Sequence, residues 1–352
     1  MSTAGCRSPR SATVARETSR VHPELSAVVA GRLGVFTSQE ASTLGYGVED
    51  IRTELRTRRW SRLRKGVYIG TDRLVSADLR ERHLIDCVAV LLSLGPGPVL
   101  SHASAARLHE LILPWRQPPE VRVTAVDQWR RGRGYRVAHA AMTADETEPW
   151  LAFAAMSVPR TLVDCACEWS LTDGVVAMDA ALHEEKATRV ELARAVLGGT
   201  HRVGIGQAAR ALNLSDGRAE SPLETRGRLA MVAAGLPRPE LQVEIHDAAG
   251  LIGRVDAWYD DAALAIEFDG QVKYTDPRRA SSPGKALWDE KRREDAMRAL
   301  GVRFVRVANE DLGAPWPATA TRIRGLLAAP YIGPRRFRAV RTAEPGGASD
   351  VA

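Results

Sequence analysis

The sequence predicts an α/β protein of more than one domain, and three observations carry that expectation. Its 352 residues exceed the roughly 150 of a typical single domain. A cation-dense stretch near residue 60 shows helical punctuation followed by strand-like alternation, and residues 216–314 alternate helix and strand signals. The composition, 45% hydrophobic and 26% charged, is that of a folded globular chain. No apolar run approaches the ~18 residues of a membrane span, so no membrane partner is expected.

The opening "MSTAGCRSPRSATVARETSR" carries Arg7, Arg10, Arg16 and Arg20 but lacks the apolar core of a secretion signal. Residues 1–29 are expected to form a flexible basic arm, or to be extra sequence ahead of the true start. Cys6, Cys87, Cys165 and Cys167 are spaced neither as a metal knuckle nor as a disulfide framework, which fits a reducing cytoplasm. The net charge of +6 is modest for this length, so its distribution matters more than its total.

That charge is concentrated in "RTELRTRRWSRLRK", where Arg52, Arg56, Arg58, Arg59, Arg62, Arg64 and Lys65 face the single acid Glu54. Thr37 or Ser38 can cap a short helix through Leu44, "GYG" makes a turn, and Val48 to Arg58 reads as a second helix. Next, "WSRLRKGVYIG" alternates imperfectly around Lys65-Gly66 as a β-ribbon with a basic tip. Residues 30–72 thus predict a winged helix-turn-helix, its second helix suited to a major groove and its arginines to phosphates of DNA. The alternative is a solvated, arginine-rich helical face.

Residues 73–214 predict a mixed helical and β-hairpin module. "ADLRERHLIDCVAVLLSLG" has helical spacing, Ser101-His102 can open "HASAARLHEL", and "EVRVTAVDQWRRGRGYRVAHA" alternates as paired strands. The tip of that hairpin, with Arg130, Arg131 and Arg133, reads equally as a nucleic-acid contact or a solvated loop. His102 and His109 lack the acid or cysteine pattern of a metal or catalytic site and are expected to be buried or capping. Residues 158–198 read as two or three amphipathic helices, with a domain boundary near Ser215. Through "VFTSQEASTLGYG", "RKGVYIG", "VLSHASAARLHEL" and "SVPRTLVDCA", residues 30–200 resemble the AbiEi-type antitoxins of abortive infection. The resemblance implies winged-helix DNA binding and control of a toxin operon, with a cognate toxin or its operator as partner.

The third region, residues 215–330, contains "GRVDAWYDDAALAIEFDG". A two-residue loop at Asp260-Asp261 would pair Tyr259 with Ala262, Asp256 with Ala265 and Arg254 with Glu267. Side-chain alternation then puts Asp256, Glu267 and Asp269 on one acidic face and Val255, Ala257, Tyr259, Leu264, Ile266 and Phe268 on an apolar one. Acids this close repel, and a hard divalent ion, Mg²⁺ or Mn²⁺, would remove the conflict, with Asp256 and Glu267 converging on it. The alternative is a solvated outer sheet face. Ahead of this stretch, "ESPLETRGRLAMVAAGLP" reads as a helix with Ser221 as N-cap, Pro222 at its first position, Glu224 as capping-box acid and a stop at Gly235. After it come the helix "LWDEKRREDAMRALG", the strand "VRFVRVA" and, over residues 331–352, a flexible tail.

Through these same pieces, residues 216–314 resemble the PD-(D/E)XK nuclease superfamily, specifically an uncharacterised domain family related to very-short-patch-repair endonucleases. The resemblance implies a restriction-endonuclease-like α/β fold and Mg²⁺- or Mn²⁺-dependent phosphodiester hydrolysis in phage defence or DNA repair. It implies Asp256 and Glu267 as metal-binding acids and Glu220 or Glu224 as a helix acid. One departure matters: the superfamily's glutamate-x-lysine is Glu267-Phe268-Asp269 here, so the lysine is missing from its usual place. Asp269 could add a metal ligand, and Lys273, Lys291 or Arg293 could bring the positive charge. Two function classes follow: a metal-dependent nuclease, favoured by the clustered acids, and a non-catalytic DNA-binding regulator or antitoxin, favoured by the missing lysine.

Overall fold

A computed structural model describes residue 25 and residues 29–269, 283–329 and 331–344. The chain is α/β overall, with three sheets among the described residues. It divides into two compact units, one of residues 1–98 with 149–153 and the other of residues 99–148 with 154–352.

The first unit runs β1 (Val35–Thr37), α1 (Ser38–Thr43), α2 (Val48–Arg56), β2 (Trp60–Arg64), β3 (Val67–Gly70), α3 (Thr71–Ser76) and α4 (Leu79–Leu94). Thr37 is the cap of α1: its Oγ1 accepts the Glu40 N–H at 3.2 Å while the Glu40 carboxylate accepts the Thr37 N–H at 2.8 Å. The second helix stops at Arg56, two residues early, because Arg58 adopts a left-handed φ of 56° that no helix continues. Gly66, at φ +73°, turns the chain between β2 and β3, and the strand order is β1-β3-β2. Alternate residues of this small sheet serve two cores. Val35, Val67 and Ile69 pack with Ile85, Val88 and Ala89 of α4, whereas Phe36, Trp60 and Tyr68 pack with Ile51 of α2.

The second unit begins with β4 (Val99–Leu100), α5 (His102–Leu108), β5 (Val121–Ala125), β6 (Arg130–Gly132) and β7 (Tyr135–His139), and the boundary segment 149–153 runs through β8 (Thr147–Trp150) and β9 (Phe153–Met156). These strands form a sheet of order β6-β7-β5-β4-β9-β8, which leaves β6 at an edge. Helices α6 (Val158–Glu168), α7 (Leu171–His183), α8 (Arg189–Gly198) and α9 (Ile205–Leu214) pack around Leu162, Val163, Met178 and Leu192. His102 is buried with its Nδ1 2.9 Å from Ser101 Oγ, and His109 Nε2 lies 2.7 Å from the Met156 carbonyl. Burial pushes the His102 pKa down.

Then follow α10 (Pro222–Ala233), β10 (Glu240–Asp247), β11 (Gly250–Tyr259), β12 (Leu264–Asp269), α11 (Pro283–Ala299), β13 (Arg303–Ala308), α12 (Trp316–Ala328) and β14 (Arg338–Val340). The sheet order is β13-β12-β11-β10-β14, with β12 and β13 parallel. Part of the expected tail is therefore structured: residues 338–340 pair with His246, Ile245 and Glu244, where they cover the free edge of β10. A buried ion pair ties α7 to α10: Arg228 Nη2 donates to Asp179 Oδ2 at 2.7 Å, and that carboxylate also accepts Thr225 Oγ1 and the Asp216 N–H.

Two expectations about the acidic hairpin are corrected. Tyr259 pairs with Leu264, Trp258 with Ala265 and Ala257 with Ile266, so the loop holds four residues, 260–263, rather than two. Ala263 makes the longer loop possible by taking a φ of 43°. Nor is one face apolar and the other acidic. Ala257, Tyr259, Leu264, Ile266 and Phe268 meet α10 and α12, while Val255, Trp258, Ala263 and Ala265 pack in a second core with Met297 of α11. A sheet covered on both faces has no room for an unbroken acidic face.

Candidate functional site

The longer loop moves the register by two positions, so parity survives the correction. The β11–β12 ladder ends at Ala257 opposite Ile266, and the expected pairing of Arg254 with Glu267 is not part of it. The neighbouring strand breaks the simple alternation. Gln242 has a left-handed φ of 52° between the pairs Leu241 with Ala257 and Val243 with Val255. Leu241 and Ala257 belong to one core, Val243 and Val255 to the other. The sheet thus changes faces at the level of Gln242 and Asp256. The Asp256 carboxylate fills the ladder there: its Oδ2 accepts the Phe268 N–H at 2.7 Å.

Glu224 reaches this point from the first turn of α10. Its capping duties hold it, since Ser221 Oγ donates to Oε1 at 2.9 Å and the Glu220 N–H donates to Oε2 at 2.9 Å. Gln242 Nε2 adds a third bond to Oε2 at 2.9 Å. Burial raises the Glu224 pKa to about 7, and the negative charge of Asp256 adds to the rise. Glu224 and Asp256 therefore share one electrostatic site. Glu220, the other helix acid, turns to an ion pair with Arg254.

On the α11 side, Arg293 Nη2 stands 4.0 Å from Glu267 Oε2. Its stem crosses Gly253, where any Cβ would overlap the arginine Cδ and Cγ. Phe268 is seated similarly, against Gly227 of α10, where a Cβ would overlap its ring. Asp269 is 44% exposed and lies 3.7 Å from Arg306, which also pairs with Glu290 and Glu294. Lys291 is exposed, and Lys273 lies outside the described residues. Among the described residues, no three His, Cys, Asp or Glu side chains are gathered closely enough to hold a metal ion by themselves. Gln242, Gly253 and Gly227 have no chemical signature in the sequence. A glycine opposite a long side chain becomes informative once the packing is known.

The N-terminal cations are mostly surface groups. Arg52, Arg56, Arg58, Arg59, Arg62 and Lys65 are exposed and Arg64 is half-buried. Arg59 pairs with Glu54 at 2.8 Å, Arg52 pairs with Glu49, and Arg62 lies 5.8 Å from the Tyr68 ring centroid. Helix α2 also presents Glu49 and Asp50 near its start. The positive surface is consequently strongest past the end of α2 and along β2.

No family model matches the chain. It is similar to an uncharacterized protein of Mycobacterium tuberculosis strain H37Rv, 34% identical over 163 residues, and to one of strain CDC 1551 at the same identity and length. The match covers 46% of this chain and 58% of each relative, so the chain spans little more than half the length of the curated relatives it matches. Among the described residues no helix is long and apolar enough to cross a membrane.

Proposed function

We propose that the C-terminal α/β region hydrolyses a phosphodiester of DNA with Mg²⁺ or Mn²⁺ held by Asp256 and Glu267, while the N-terminal module binds duplex. The carrying observation is the bond of the Asp256 carboxylate to the Phe268 N–H, next in the chain to Glu267, beside buried Glu224, whose proton affinity Asp256 raises. Negative charge collected at a half-buried point is unfavourable unless a cation shares it. The donors suit a hard ion, since all are carboxylate oxygens. Two acids rather than three leave the remaining ligand positions to water and phosphate, as Mg²⁺ prefers. Once bound, such an ion lowers the pKa of a coordinated water and offsets charge developing on the phosphate.

The chain's own groups have distinct tasks in this reading. The Phe268 N–H fixes the Asp256 carboxylate. Glu224, with its pKa near 7, takes up or releases a proton close to neutral pH, and Gln242 orients its carboxyl. Arg293 brings to Glu267 the positive charge that the sequence lacks at position 269. A second reading, a DNA-binding regulator or antitoxin without cleavage, is favoured by the placement of Asp269 beside Arg306.

Incubation of the full chain with plasmid, single-stranded DNA and RNA in Mg²⁺ or Mn²⁺ separates the two. Cleavage is expected, lost in D256N and E267Q and reduced in R293M. Mn²⁺ should raise the melting temperature of the wild type and not of E267Q, because an ion that binds the native state stabilises it. Wild-type protein with neither cleavage nor a Mn²⁺-dependent shift overturns the nuclease reading in favour of the regulator.

A further inference from the structure

The hairpin of β6 and β7 carries charge that the acidic site does not use. Arg122 pairs with Arg136 across β5 and β7, and Arg136 pairs with Arg131 across β7 and β6. Three arginines thus form one row across three adjacent strands on a single sheet face. Like charges directly opposed in a ladder are unfavourable. Glu168 forks onto buried Arg122, but Arg136 and Arg131 share the more distant Glu120, at 3.5 and 3.9 Å. The row therefore grows more positive toward the edge strand, where Arg130, Arg131 and Arg133 are all exposed and Asp127 is the neighbouring acid.

Beside this cationic edge, the indole of Trp129 is 70% exposed. Such a ring is ordinarily buried, yet it stands in solvent directly before Arg130, the first residue of the edge strand β6. The hairpin that presents it is anchored. Gly132 lies against the Tyr135 ring so closely that a Cβ would overlap it, and His139 Nε2 sits 2.9 Å from the Val126 carbonyl.

We propose that this edge is a binding site for single-stranded nucleic acid, with an unpaired base stacked on Trp129 and backbone phosphates met by Arg130, Arg131 and Arg133. The pairing of an exposed aromatic platform with a cationic strand is what such a ligand requires. In a duplex the base faces are covered by their neighbours, so an indole platform has nothing to stack on. The site is independent of the acids around Asp256 and needs no metal.

The test is fluorescence anisotropy of a labelled oligothymidylate of about a dozen nucleotides with the full chain, in EDTA. The chain carries R56A/R58A/R59A/R62A, which removes the N-terminal contribution. W129A should weaken binding roughly 5- to 150-fold, the range for loss of one stacked base, and W129F should retain most of the affinity. R130A/R131A/R133A should flatten the dependence of log affinity on log salt by about 2, at ~0.7 per phosphate contact on a single strand. The proposal is overturned if W129A binds as the parent does, if W129A and W129F lose equally, or if a duplex of equal length competes as well as the single strand. Because EDTA excludes divalent ions, a negative result here leaves the cleavage assay unaffected, and the reverse also holds.

Discussion

The Asp256 carboxylate accepts the main-chain N–H of Phe268 at 2.7 Å, so an acid of the candidate site also joins β11 to β12 beyond Ala257. A carboxamide oxygen can still accept that bond and a methyl group cannot. D256N should therefore fold with near wild-type stability, while D256A leaves a buried donor unsatisfied and loses about 1–3 kcal/mol. Urea unfolding of the two variants checks this, and equal midpoints would remove the structural role.

Glu224 couples stability to pH. Its folded pKa, about 7, lies above the ordinary 4.5, so the native state holds the proton more tightly than the unfolded chain. The associated stability is complete below about pH 4.5 and is lost as pH rises through about 7, on the order of 3 kcal/mol in all. Asp179, raised to about 6 by burial against the pull of Arg228, acts in the same direction. E224Q should flatten the decline between pH 5 and 8 without abolishing it. An unchanged profile of urea midpoint against pH would mean that Glu224 titrates normally.

In the first unit, the cations past α2 should bind duplex DNA through phosphates. R56A/R58A/R59A/R62A should weaken binding and reduce the salt slope by about 3 to 4, at ~0.9 per phosphate contact on duplex. Arg59 already pairs with Glu54, which places the expectation toward the lower figure. Filter binding from low to moderate salt measures it, and an unaltered slope would make the cluster a solvated face.

The Arg228–Asp179 pair, with both side chains 1% exposed, should be costly to break from one side. D179A leaves the guanidinium buried without its carboxylate and should lose about 3–5 kcal/mol, whereas D179L/R228M should lose less because neither charge remains. Chemical denaturation of the wild type, D179L, R228M and D179L/R228M forms the required cycle, with D179A measured beside it.

Much of the architecture was legible because it is written in local chemistry. Thr37 with Glu40 and Ser221 with Glu224 announce helix starts through capping. The alternation around Lys65-Gly66 announces the ribbon, and the hairpin around Asp260 forms with Ala257 through Tyr259 paired to Ile266 through Leu264, although its loop is two residues longer than expected. A loop-length error of two leaves parity intact, whereas an error of one would have reversed it.

What tertiary structure alone decided depends on groups far apart in the chain. The left-handed Gln242 moves Val255 into a different core from Ala257, and its amide binds Glu224, neither of which any residue type signals. Asp269 turned to Arg306, Arg293 found Glu267 across Gly253, and residues 338–340 closed the sheet edge. The sequence by itself determined where the capped helices begin, where strands alternate and which positions carry charge, since capping and periodicity act over a few residues. Which charges meet was decided by the packing of both sheet faces, because a carboxylate between two cores must find its donor or cation among side chains that only the folded chain brings near.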